Sequence, residues 1–428
     1  MIYRIFAFSI QLKRLRMRIS LIIILAVLIS SCTTKNAELK SGIWRGVVEM
    51  QGHQLPFGFE VQKVNDQYRI TVMNAEERLK LDEISIAGDS VRIVMHIFDT
   101  ELRAKIEDDR LTGYYIKNYD PINKLPFIAT LGDDFRFAKD AETELDFSGK
   151  YSLEFQSPTE KYVAVGIFKQ SYSKVTGTFL TPTGDYRYLQ GDVIDNELFL
   201  STFDGNHAFV FTAHFEGDSI KGNFYSGKTS LESWKGIRNE NASLPDLESL
   251  TFLKPGFETL DFTFPDLKGN NIASTDDRFK DKVVILQIFG TWCPNCMDET
   301  KFLTKWYEEN KDRGVEILGL AYERKDDFEY ASGRVKKMKE KLGVGYDFVI
   351  AGTNDKAKAS ETLPALNRVL AFPTTIFIGK DGKVKYIHTG FSGPGTGIYY
   401  EQFKERFNQI VNSCLSEARP VSGEGRNF

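Results

Sequence analysis

The sequence predicts an α+β multidomain chain: an all-β half built from a repeated meander, folded as a barrel or a sandwich, then a C-terminal α/β domain. Three observations carry this. Residues 41–239 hold short apolar or alternating segments, such as 57–61, 68–72, 91–97, 197–202 and 209–215, parted by Gly, Asn and Asp with no helical period. Two stretches of that half match each other at an offset of roughly 105–109 residues. After about residue 257 near-continuous apolar strands alternate with helical segments, the pattern of a sheet covered on both faces.

Taken in order, residues 1–31 lie outside the fold. Lys13, Arg14, Arg16 and Arg18 precede an apolar run, 19–29, broken only by Ser20. A charge step before an apolar stretch too short for a comfortable membrane span reads as a signal peptide. Ile29-Ser30-Ser31-Cys32 resembles the bacterial lipoprotein box. The resemblance implies cleavage before Cys32, lipidation of Cys32 and attachment to a membrane in the cell envelope, facing the periplasm. Thr33, where enterobacterial lipoproteins kept at the inner membrane carry Asp, favours the outer membrane by analogy. The arm before Met17 is long, which makes Met17 a second candidate start. No later stretch is long and apolar enough to span a bilayer, so the rest is expected to be soluble behind a tether, 32–40.

The β half divides into units 41–145 and 146–239. Gly42-Ile43-Trp44 aligns with Gly149-Lys150-Tyr151, Phe98-Asp99 with Phe203-Asp204, and Leu111-Thr112-Gly113 with Ile220-Lys221-Gly222. The Gly-x-Trp opening is similar to that of lipocalin-like barrels. Neither unit gathers His, Asp and Glu into a cluster that would carry chemistry; His207 and His214 read as strand-surface residues. A polar linker, 240–256, leads to the C-terminal domain, 257–418. There the expected order is a buried strand at 283–289, a helix after it, a strand at 315–321 and a charged helix at 325–342. A strand at 346–350, a Pro-containing segment at 363–370, a hairpin turned by Asp381-Gly382 and a helix at 398–417 follow, with a disordered tail at 419–428.

Composition narrows the function classes. A formal net charge of −4 gives no basic field for nucleic acid. The 33 Phe and 18 Tyr suit pleated surfaces. The four cysteines each take a different job. Cys32 fits lipidation, and Cys414 lies with Phe403, Phe407 and Ile410 on the apolar face of the last helix as a packed thiol. Cys293 and Cys296 form a CxxC. An exported chain without a disulfide framework points to a redox-active pair rather than a staple.

The segment Val283-Val284-Ile285-Leu286-Gln287-Ile288-Phe289-Gly290-Thr291-Trp292-Cys293-Pro294-Asn295-Cys296, with Glu299 and a downstream Phe372-Pro373-Thr374-Thr375-Ile376-Phe377-Ile378, resembles the thioredoxin superfamily, in its TlpA/ResA-like branch. The resemblance covers the last 165 or so residues. It implies a thioredoxin-like fold and a protein-disulfide reductase cycling between dithiol and disulfide, with no cofactor or metal. Oxidised exported proteins would be its substrates and a membrane thiol-reducing protein its partner.

The physical chemistry fits those residue types. A free thiol near pKa 8.5 is only about 3% thiolate at pH 7. At a helix start, unpaired amides and the positive end of the dipole face the Cys293 sulfur and lower that value. Pro294 suits the first turn, where its missing N–H costs nothing. Cys296, one turn on, attacks the mixed disulfide and releases product. Cys293 is thus expected to be the exposed nucleophile and Cys296 the buried resolving thiol. Thioredoxin itself has an Asp where this chain has Gln287, so Glu299 is the expected proton carrier, one turn from Cys296, with Asp298 the weaker candidate. The resemblance makes Pro373 a cis-proline opposite the motif, and Trp292, Phe372, Pro373 and Thr374 the substrate contacts.

Three rivals remain. A peroxiredoxin-like peroxide reductase would need a Pro-x-x-x-Thr-x-x-Cys pattern, which Leu286, Gly290 and Thr291 do not supply. A zinc site would need ligands beyond His388 and Cys414. From another class, the chain is a lipid-anchored binding or scaffold protein whose β units recognise a partner.

Overall fold

The computed structural model describes residues 37–246 and 249–417. The signal segment with Met17, the lipid-site Cys32 with Thr33, and the tail 419–428 fall outside the described residues.

Each β unit is one meandering antiparallel sheet. In the first, strand Gly42–Met50 pairs with both its successor, His53–Val64, and the last strand, Leu125–Leu131, which leaves Glu77–Leu81 and Ile84–Ala87 as the sheet edges. In the second, Gly149–Gln156 likewise pairs with Lys161–Ser171 and with Ser230–Arg238. Lys161–Ser171 also pairs with Lys174–Thr181, so this ladder closes on itself. Of the two predicted forms, barrel or sandwich, the second unit takes the closed barrel, and the first is a barrel-like sheet left open between Glu77–Leu81 and Ile84–Ala87. The sequence repeat persists in detail: Trp44 donates its indole N–H to the Lys40 carbonyl, and Tyr151 its hydroxyl to that of Phe147, each four residues back.

The C-terminal domain is a mixed five-stranded sheet. Asp347–Thr353, Val315–Glu323 and Val283–Phe289 run parallel, and the hairpin Thr374–Ile378/Val384–Thr389 lies antiparallel beside Val283–Phe289. Every side chain of Val283–Phe289 is buried, as its apolar run, broken only by Gln287, requires. Helix Pro294–Asn310 packs Phe302 and Trp306 edge-on against Phe407 of helix Ile398–Ser416. A short helix, Lys356–Thr362, stands where no element was expected; Asp355 caps it by accepting from the Ala357 and Lys358 amides. No helix among the described residues is long and apolar enough to cross a membrane.

The β half is wrapped around this domain. The first unit meets helix Phe328–Leu342, where Lys337 and Lys341 pair with Glu83 at 2.9 and 3.0 Å and Tyr330 donates to Asp99 at 2.9 Å. The second unit reaches the CxxC helix itself. Arg187 sits at the three-way junction, its side chain 2% exposed. It pairs with Glu77 of the first unit, Asp204 of the second and Asp298 of helix Pro294–Asn310. One buried cation thus ties all three folded parts together.

Candidate active site

The sulfur pair sits where strand Val283–Phe289 hands over to helix Pro294–Asn310. Gly290 starts the handover, where a Cβ would collide with the Trp292 indole. Glu323, at the end of the neighbouring strand, accepts from the Thr291 amide and hydroxyl at 2.8 and 2.9 Å and so fixes the loop. Burial, opposed by those two bonds, lifts the Glu323 carboxyl to about 7. Cys293 caps the helix: its sulfur accepts from the Cys296 amide at 3.1 Å, the contact expected of a helix start facing a sulfur. Cys293 and Cys296 are joined as a disulfide, Cα to Cα 5.2 Å. Phe372–Pro373 is a cis peptide, and the Phe372 carbonyl oxygen lies 3.4 Å from the Cys293 sulfur.

Behind Cys296 lies a sealed polar group. Glu299 is fully buried and accepts from the Thr375 hydroxyl at 2.7 Å and the Gln287 amide at 2.8 Å. Gln287 in turn accepts from Thr300 at 3.2 Å and Tyr346 at 3.4 Å. Burial raises the Glu299 carboxyl to about 7, the two hydrogen bonds only partly countering it. A carboxyl that titrates near neutrality, one turn from Cys296, can both take and return a thiol proton.

One expectation is corrected here. Cys293 is not an exposed sulfur; it is 6% exposed, and Cys296 is fully buried. The cover is the loop that follows strand Lys174–Thr181 of the second barrel. Asn295 donates to the Asp185 carbonyl at 3.0 Å, and Arg187 donates to the Pro294 carbonyl at 3.1 Å. Asp185 accepts from the Gly393 amide at 2.7 Å, pinning the same loop to the segment before the last helix. Gly184, at φ +143°, passes so close that a Cβ would stand 2.6 Å from Asn295 Nδ2. Asp298 is buried, paired with Arg187 and turned toward the barrel.

What remains open above the disulfide is a cleft of about 210 Å³, bounded by Trp292, Cys293 and Phe372 on one side and Tyr186, His207 and Phe209 on the other. Trp292 is braced by its N–H on the Tyr322 carbonyl at 2.8 Å and by an edge-on contact with Phe372. Thr374 is fully buried, its hydroxyl donated to the Ala371 carbonyl, so it does not reach the cleft. His207 is also corrected. It lies in the turn after strand Glu197–Phe203 and faces the cleft, not the outer strand surface; His214 does stay on its strand, 49% exposed. Cys414 is 1% exposed, and burial raises its thiol pKa. Among the described residues no three His, Cys, Asp or Glu side chains converge as a metal site.

A CxxC at the start of a helix on this sheet, with a cis-proline alongside and a buried carboxyl behind, defines a thiol–disulfide oxidoreductase of the thioredoxin fold. The Redoxin family model matches residues 254–401. The thiol-disulfide oxidoreductase ResA of Geobacillus kaustophilus is 33% identical over 140 residues, 33% of this chain and 72% of that one. Its counterpart in Halalkalibacterium halodurans is 28% identical over 158 residues, 37% of this chain and 77% of that one. A solved structure described as a thiol:disulfide interchange protein DsbE from Chlorobium tepidum aligns at TM-score 0.30 and 20% identity, over 39% of this chain and all of that one. The chain belongs to the TlpA/ResA-like family of thiol–disulfide oxidoreductases.

Proposed function

We propose that the chain reduces disulfides of exported proteins in the cell envelope, held to a membrane by lipid on Cys32 and recharged by a membrane thiol-reducing partner. In this reading the Cys293 thiolate attacks a substrate disulfide, one substrate sulfur leaves as a thiolate, and a mixed disulfide forms. Cys296 then gives its proton to Glu299 and attacks the Cys293 sulfur. The second substrate sulfur leaves and takes up a proton, and the Cys293–Cys296 disulfide remains. Two electrons and the Cys296 proton pass to the substrate, and the thiolate released first is protonated separately, matching the proton that Cys293 lost on ionising. Trp292 and the Phe372–Pro373 backbone would hold the substrate strand.

The observation that carries the reading is the sulfur pair itself, capped at the helix start with a carboxyl of pKa about 7 sealed behind it. The test is insulin-disulfide reduction by the full chain, with the pair's reduction potential measured in parallel. Activity that survives Cys293→Ser would sink the assignment. A second reading, in which the β units recognise a partner and the redox centre is secondary, draws support from the cover over Cys293. Full biological activity of that same variant would favour it.

A further inference from the structure

The β half does more than cover the sulfurs; it brings a titratable side chain to them. His207 and Cys293 line the same cleft. His207 Nδ1 is 3.0 Å from Asp204 Oδ2, and its ring stacks on Phe209 at 4.4 Å. Asp204 is fully buried, and its other oxygen accepts the His207 and Asn206 amides at 2.7 and 3.0 Å. Burial alone would raise the Asp204 pKa, but the charge and hydrogen bond of His207, with Arg187, hold it at about 2. A carboxylate fixed on Nδ1 orients the ring and leaves Nε2 as the nitrogen for a ligand. The support is tied to the dithiol, because Arg187, 3.2 Å from Asp204, also binds Asp298 and the Pro294 carbonyl of the CxxC helix.

The chemistry lacks such a group on this side. Glu299 serves Cys296 from inside, yet the first sulfur to leave the substrate departs into the cleft. An ordinary aliphatic thiolate, of pKa about 8.5, leaves more slowly than an acidic one, and a proton donor beside it would ease its departure. The other titratable groups of the cleft are committed. Asp185 accepts the Arg187 amide at 2.6 Å and that of Gly393, and the Tyr186 hydroxyl is 2.9 Å from that of Tyr162. His207 remains.

Resting on the reductase reading above, we propose that the cleft is the site for one aliphatic disulfide, either of a small molecule or on a flexible segment, and that His207 of the second barrel is the acid for its leaving sulfur. The Cys293 thiolate attacks one sulfur, the S–S bond breaks, and the departing thiolate takes the proton of the His207 imidazolium to become a free thiol. The imidazole then regains the proton that the next Cys293 thiol gives up. At about 210 Å³ the cleft is below the ~300–1,000 Å³ of drug-sized sites, which suits a side-chain-sized ligand.

The test is the full chain with two disulfides of different leaving group. In bis(nitrothiobenzoate) disulfide the leaving thiol is already acidic and needs no proton; in hydroxyethyl disulfide it does. In His207→Gln and in His207→Phe, which keeps the stack on Phe209, the aromatic-over-aliphatic rate ratio should rise by about 10²-fold. Because each ratio is taken on one sample, the fraction of folded protein cancels. A ratio that moves by less than about threefold overturns the role of His207, whether or not both rates fall together. Wild-type protein that reduces neither disulfide overturns the reductase reading instead, so the two failures are distinguishable.

Discussion

Replacing Glu299 with Gln tests the buried acid directly. Its carboxyl stands at about 7 against an ordinary 4.5, chiefly through burial, which amounts to about 3 kcal/mol of disfavoured ionisation in the fold. The sign follows from proton counts. Between pH 4.5 and about 7 the unfolded chain has released the Glu299 proton while the folded chain keeps it. Stability therefore falls as pH rises, by about 1.4 kcal/mol per pH unit from this one group, and levels off above 7. Below 4.5 the group contributes no slope. Glu299→Gln removes that slope and leaves the similar one from Glu323 in place. It also puts an amide where Thr375 and Gln287 both donate, which costs about 1–3 kcal/mol at every pH. The stability curves of the two proteins should consequently converge between pH 5 and 7 in denaturant titrations. The kinetic counterpart is release of product from a preformed mixed disulfide on Cys293. In the wild type its rate should climb with pH through about 7, as the carboxylate becomes available to take the Cys296 proton. In the variant it should be about 10²-fold slower at pH 7 and climb only as the thiol itself ionises. An unchanged inflection together with parallel stability curves would show that Glu299 is a spectator.

Gly184→Ala should loosen the cover, since the new Cβ would meet Asn295 Nδ2 at 2.6 Å from a backbone at φ +143°. Iodoacetamide labelling of reduced Cys293 should speed up at least about tenfold as the loop lifts; an unchanged rate would mean that the loop does not limit access. Cys414→Ala should cost about 1–2 kcal/mol in denaturant melts and leave disulfide reduction within twofold of wild type. In the reduced Cys32→Ser chain, Cys414 should react only after unfolding, and rapid native labelling of a third thiol would contradict its packed position.

The chemistry of the sulfur pair was legible because it is local. Strand, glycine, Trp-Cys-Pro-x-Cys and helix are consecutive in sequence, so 283–299 carries its own geometry. Glu299 could be placed by its helical spacing from Cys296 together with the family resemblance, and Pro373 by the resemblance alone. The barrels were legible through alternation and the repeat, but not their closure, which depends on pairing of Gly149–Gln156 with Ser230–Arg238, strands far apart in sequence. Least legible was the junction. Asp204, His207 and Arg187 sit in turns, where no periodicity marks a buried face, and Arg187 at φ +58° carries no local sign of its three carboxylate partners. One signal was available. Phe203-Asp204 aligned with Phe98-Asp99: Asp99 meets Tyr330 of the C-terminal domain, and Asp204 holds Arg187, the side chain that reaches the other two parts.

The junction also bears on how a substrate would reach Cys293. Separating the second barrel from the CxxC helix would break the buried pair of Arg187 with Asp298 and the Arg187 bond to the Pro294 carbonyl. Were that separation to cost about 3–5 kcal/mol, an open form would make up only about 10⁻² to 10⁻⁴ of the molecules. A folded protein that needed the open form would be reduced more slowly by that same factor. A disulfide small or mobile enough to enter the cleft meets Cys293 with the ion pairs intact. On the reductase reading the cover would favour disulfides small or mobile enough for the cleft, which His207 of the barrel lines.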